Sequence, residues 1–125
     1  VIRLLLVCAG GALGSGARYL VAGWAASRYG LDFPRGTLVV NVVGSLLLGV
    51  LVGFAGARAL SDEARLFLGA GVLGGFTTYS SFNAETIALA ERAGLWPALA
   101  NVALTVIGCL VAGAAGLWAA RALAA

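Results

Sequence analysis

The chain has 125 residues, 62% of them hydrophobic and 10% charged, with a mean hydropathy of +1.02. A soluble domain carries about 25% charged residues, so this composition excludes a water-soluble globule and predicts one integral membrane domain over residues 1–125. The formal charge of +3 comes from scattered arginines with no lysine, which gives neither nucleic acid nor anionic lipid a polybasic block to bind.

A membrane-spanning helix needs about 20 apolar residues. Four segments have that length, at roughly 2–29, 36–57, 63–92 and 95–123, joined by "GLDFPR", "RALSD" and "ERAGLWP". The first continues to Tyr29 without a polar cleavage region and is expected to be a retained span. It contains "GGALGSGARY", Gly10–Tyr19, where Gly10 and Gly14 form a small-xxx-small pair suited to close helix approach. Arg18 falls within or near the membrane, where an arginine either serves function or snorkels to the interface.

The second span opens after Pro34 with "GTLVVNVVGSLLLG", Gly36–Gly49. Asn41 and Ser45 lie one turn apart on one face, with Gly44 beside them. The Asn41 amide either bridges helices or offers its N–H donors to a ligand. Gly49 and Gly53 form a second close-approach pair.

The third span carries "GVLGGFTTYSSFNAE", Gly71–Glu85. Three glycines and four hydroxyl residues besides Tyr79 make a poor lipid-facing helix. Gly74–Gly75 followed by Thr77–Thr78 is a plausible break, since glycine removes the backbone preference and hydroxyls re-satisfy freed N–H and C=O groups. Unwound carbonyls at membrane depth are ligands for Na+-like cations. Tyr79 and Phe82, three apart, share a face, and their positive ring edges could touch a small anion. Two core aromatics among hydroxyls that glue helices together would have the same spacing. Glu85, one turn after Phe82, is placed to line a vestibule or pair with an arginine.

On the last span, Asn101, Thr105 and Cys109 at i, i+4 and i+8 form a polar stripe, which points to a path more than to a point contact. Cys109 and Gly113 form a third small pair. Cys8 and Cys109 have no metal-ligand spacing and are expected to be small buried packing residues.

Four spans put Arg3, Arg58, Arg65 and Arg121 on one side and Arg28, Arg35 and Arg92, with Arg18 nearby, on the other. This balance shows no positive-inside bias, and either a short chain's noise or insertion in both orientations accounts for it. Opposed copies would form an antiparallel homodimer. With no histidine, no acid in the first 31 residues and no nucleophile beside a base, proton-coupled pumping and intramembrane hydrolysis lack their groups. Amide, hydroxyl and ring-edge donors remain, the means of handling a small, strongly hydrated anion.

The blocks "GGALGSGARY", "GTLVVNVVGS" and "GVLGGFTTYSSF" together resemble the signature blocks of the CrcB/Fluc family of fluoride channels, in the family's order and in a chain of its size. The resemblance implies an all-α membrane protein of four transmembrane helices, the third broken mid-membrane, assembled as an antiparallel dual-topology homodimer in a bacterial or archaeal cell membrane (the inner one in Gram-negative cells). Two pores per dimer would lower cytoplasmic fluoride by passive efflux. It further implies a structural Na+ at the dimer centre, held by backbone carbonyls of Gly74 and Thr77. Asn41, Tyr79 and Phe82 would line the pore with Ser45, Thr105 and Cys109. Arg18, Thr78, Ser80, Ser81 and Glu85 would serve a vestibule or the structure. Two departures stand out: Tyr79 replaces the usual Phe, and Cys109, a weaker donor, stands where a hydroxyl is usual. The alternative, a small multidrug-type dual-topology exporter, needs an embedded carboxylate that the first span lacks.

Overall fold

A computed structural model describes residues 1–56 and 60–125. Two sequence expectations lie outside these residues: the end of the second span at Ala57 and the side assigned to Arg58.

Helix α1 (Ile2–Tyr29) stops where Gly30, at φ 75°, takes a left-handed conformation and returns its N–H to the Ala26 carbonyl. Helix α2 (Arg35–Gly56) starts just after Pro34, whose missing N–H is harmless there. The third helical stretch begins with the short α3 (Asp62–Arg65), capped by Ser61, whose hydroxyl accepts the Ala64 N–H at 3.2 Å. It continues as a π-helix (Leu66–Leu73) and one α-turn, α4 (Gly74–Phe76). After a two-residue interruption it resumes as α5 (Tyr79–Ala93), which ends at Gly94, again at positive φ, before α6 (Leu95–Ala124).

The described architecture is all-helical, and α1, α2 and α6 are long and apolar enough to cross a membrane. The remaining helical stretch, read from the sequence as the third span, is broken, as expected, but its glycines play a different part. Gly74 sits at φ −63°, ψ −36°, inside the helix, and Gly75 is helical too. The chain is extended only at Thr77 (φ −78°, ψ 156°) and Thr78 (φ −151°, ψ 118°). Gly75 is there for proximity: a Cβ on it would lie 2.6 Å from the Gly11 carbonyl oxygen on α1. A β-branched pair, at home in extended backbone, makes the break.

Packing pairs α1 with the first half of the broken stretch, and α2 with α6, while α5 lies on α6. Small residues set these approaches. Gly10 faces Gly71 of the π-helix, and a Cβ on Gly14 would overlap the Val72 carbonyl. Across the other pair, Gly49 meets Gly113, and Gly53 meets Ala120. Gly113 of the expected Cys109–Gly113 pair is thus at the contact, and Gly116, one turn on, adds a second tight approach, against the Leu46 carbonyl. Neither cysteine is a buried filler: Cys8 is exposed and Cys109 half-buried. The interior is small, with Val40, Leu89 and Asn101 its largest fully buried side chains. Leu20, Leu110 and Val111 point outward at 63–70% exposure, which only lipid or another chain can cover.

Candidate functional site at the helix break

An α-helix that is interrupted leaves carbonyls and N–H groups without their intrahelical partners. Here side chains from two other helices take them over. The Thr77 N–H and hydroxyl both donate to the Leu73 carbonyl, at 3.0 and 2.9 Å. The Thr78 N–H, which in a continuous helix would bond to Gly74, instead donates to Asn41 Oδ1 at 2.8 Å. Asn41 Nδ2 in turn donates to the Thr78 carbonyl at 2.9 Å. The Gly75 carbonyl accepts the Arg18 Nε–H at 3.1 Å, with Ser15 Oγ at 3.5 Å. On the far side, the Thr78 hydroxyl caps α5 by accepting the Ser81 N–H at 3.2 Å, and it donates to Ser81 Oγ at 3.1 Å. Among the described residues no donor reaches the carbonyl oxygens of Gly74 or Thr77.

Gly44 makes room for this arrangement. A Cβ there would overlap the Thr77 methyl and lie 3.3 Å from the Phe76 ring. The "NVVGS" pattern on α2 is therefore one device: an amide that clamps the break, and a gap one turn's length away that admits it.

Two cavities meet at the break. The larger, 470 Å³, is lined by Asn41, Ser45, Thr77, Thr78, Tyr79, Phe82, Thr105 and Cys109. Every residue named in the expected pore is thus in one wall. Phe82 is 8% exposed and Tyr79 79%, their ring centroids 5.6 Å apart and tilted by 55°. The Thr105 hydroxyl is buried with no hydrogen-bond partner. The second cavity, 380 Å³, is lined by Ser15, Arg18, Thr37, Thr78, Ser81 and Glu85. Thr37 Oγ1 donates to Glu85 Oε1 at 2.9 Å, and Glu85 Oε2 is buried without a partner. Thr78 belongs to both walls.

Some expected residues part company. Asn101 is excluded from the stripe: it is 1% exposed and its Nδ2 donates to Thr86 Oγ1 at 2.8 Å, so only Thr105 and Cys109 of the three reach the larger cavity. Glu85 meets a threonine, and no arginine pairs with it among the described residues. Ser80 lies exposed, 3.3 Å from the Thr78 hydroxyl, and lines neither cavity. Thr37 escaped sequence reasoning, although Thr37, Asn41 and Ser45 repeat on α2 the i, i+4, i+8 spacing noticed on α6.

Among the described residues no three His, Cys, Asp or Glu side chains converge, so a cation at this site would have only oxygens of the backbone and hydroxyls to hold it. The freed Gly74 and Thr77 carbonyls fit a hard monovalent ion.

Residues 5–117 match the family described as CrcB-like protein, Camphor Resistance (CrcB). The chain is 61% identical over 111 residues to the fluoride-specific ion channel FluC of Anaeromyxobacter sp. (strain K), and 60% over 111 to that of Anaeromyxobacter dehalogenans, with 88% of each chain covered in both. It is 51% identical over 115 residues to the channel of the same name from Sorangium cellulosum, with 91% of each covered.

Proposed function

We infer that this chain, which belongs to the CrcB-like family, is a fluoride-specific ion channel. It is a multi-pass membrane protein and not an enzyme. The observation that carries the reading is the 470 Å³ cavity, in which Asn41, Thr105, Cys109 and the Phe82 ring converge on the broken crossing.

Fluoride binds water strongly, and conduction requires contacts good enough to replace that water yet weak enough to release the ion. Asn41 has one N–H left after bonding Thr78, the Thr105 hydroxyl has no partner, and the ring edges of Phe82 and Tyr79 carry partial positive charge. Such donors, in sequence, lead a small anion along the cavity wall. Ser45 and Cys109 extend the path, and Arg18, Thr78, Ser81 and Glu85 serve the second cavity as a vestibule. The flow is passive and lowers cytoplasmic fluoride.

The chain works as a single four-helix domain paired with a second, inverted copy. The balanced arginines and the uncovered apolar faces support that pairing. Each copy then contributes the Gly74 and Thr77 carbonyls to a shared, structural Na+ site on the two-fold axis, four oxygens in all. The Gly74 and Thr77 carbonyls would hold the cation, which would supply positive charge against the helix-end carbonyls.

Liposomes containing the purified protein provide the test. Fluoride efflux, read with an ion-selective electrode, is expected to proceed far faster than chloride efflux. Equal release of both ions, or none, would end the reading.

A further inference from the structure

Among the described residues, the most deeply buried polar side chain has no part in the ion path. Asn101 on α6 is 1% exposed, and a buried amide is costly unless bonded. Its Nδ2 donates to Thr86 Oγ1 at 2.8 Å, and the same Thr86 hydroxyl donates to the Phe82 carbonyl at 2.6 Å. The hydroxyl is both acceptor and donor, so the two bonds polarise each other in one direction, from α6 into the first turn of α5.

That turn needs an external anchor. Its own N-terminal support is the extended Thr77–Thr78 pair, and α5 packs chiefly on α6. Phe82 also shares the larger cavity with Thr105, which lies one turn beyond Asn101 on the same helix. A bond from Asn101 through Thr86 to the Phe82 backbone therefore sets the register between the ring on α5 and the hydroxyl on α6.

We propose that Asn101 and Thr86 are positioning residues that fix Phe82 opposite Thr105 in the fluoride path. The inference rests on the reading that Phe82 contacts the ion. Thr86 itself lies outside both cavity walls, so it acts only through the turn it holds. Loss of the hydroxyl frees the α5 turn to shift against α6, which detunes the contacts without removing any of them.

The test is a cycle of fluoride efflux measurements on purified, monodisperse protein in liposomes. Thr86→Val keeps the shape and removes the hydroxyl; Thr86→Ser keeps the hydroxyl. Efflux is expected to fall about fivefold in Thr86→Val and to stay within about twofold of the parent in Thr86→Ser. In a Phe82→Ile background, Thr86→Val should add little further loss, because the ring it positions is gone. Unchanged flux in Thr86→Val overturns the proposal, as does a fivefold loss that multiplies undiminished onto Phe82→Ile, or equal loss in Thr86→Ser. If Thr86→Val does not assemble, Asn101→Leu takes its place in the cycle, with the same outcomes decisive. Normal flux in Phe82→Ile alone would instead strike the pore assignment itself, so the two failures are separable.

Discussion

Asn41 and Thr78, 37 residues apart, close a two-bond ring across the break, with the amide donating to the Thr78 carbonyl at 2.9 Å and accepting its N–H at 2.8 Å. One side chain thus replaces the helical bonds that the interruption removes and still has an N–H for the cavity. Asn41→Asp keeps the acceptor, loses both amide donors and adds a charge that repels an anion. Fluoride efflux from liposomes is expected to fall at least tenfold, about 1.4 kcal/mol of barrier. Flux within twofold of the parent would show that the amide serves neither break nor ion.

Close helix approach gives a second expectation. A Cβ at Gly14 would run into the Val72 carbonyl, a backbone atom that cannot step aside, whereas nothing lies within 4 Å of one at Gly23. Gly14→Ala should cost about 1–3 kcal/mol or more from overpacking and yield little monodisperse protein by size-exclusion chromatography. Gly23→Ala, which also raises helix propensity, should elute like the parent. Similar recovery of both variants would mean α1 can shift away from the π-helix.

How much of this was legible beforehand follows from the kind of signal each residue emits. Periodic features carried through: the three long apolar helices at Ile2–Tyr29, Arg35–Gly56 and Leu95–Ala124, the close pairs at Gly10–Gly14 and Gly49–Gly53, and the Asn41–Ser45 face all depend on helical spacing alone. The break was legible too, because Gly-Gly-x-Thr-Thr suits no lipid-facing helix, yet its placement on the threonines was not. Glycine reads equally as a break or as a close contact, and only the position of Gly11 opposite Gly75 decides between them. Partners across helices were the least legible. Thr37 with Glu85, and Asn101 with Thr86, depend on how α2, α5 and α6 are rotated against one another, which no local pattern encodes.

Insertion in both orientations predicts a labelling pattern. In a background with Cys8→Ala and Cys109→Ser, single cysteines at Leu31, in the first connection, and at Asp62, beside the second, are both solvent-facing. Each should react with a membrane-impermeant maleimide from both faces of the cell membrane. Reaction of Leu31→Cys from one face only and of Asp62→Cys from the other would rule out the inverted pair. Extra arginines beside Asp62 should then trap one orientation, and that form alone should be silent.

The Na+ site should be detectable without any carboxylate to mutate. Replacing Na+ by the bulky N-methylglucamine cation during purification should weaken the assembled pair, seen as a shift towards monomer on dilution in detergent, with Na+ restoring it. Monomer–dimer equilibria identical in the two cations would remove the cation from the assembly. The Gly74 and Thr77 carbonyls would then need another partner, since freed backbone oxygens do not stay bare at membrane depth.

The aromatic pair permits the sharpest chemical test. Phe82 is buried against the cavity while Tyr79 is exposed, 5.6 Å away between centroids, so one ring is framed by its own chain and the other is free to meet a second copy. Phe82→Ile keeps apolar bulk but abolishes the positive ring edge, and fluoride efflux should drop at least tenfold while the protein stays monodisperse, about 1.4 kcal/mol of barrier. Tyr79→Phe removes only a hydroxyl and leaves the ring edge in place, so its flux should stay within about twofold of the parent. A large loss in Tyr79→Phe with little loss in Phe82→Ile would reverse the assignment. The ion would then be held by the phenol hydroxyl, an ordinary hydrogen-bond donor, and the ring quadrupole would have no part in conduction.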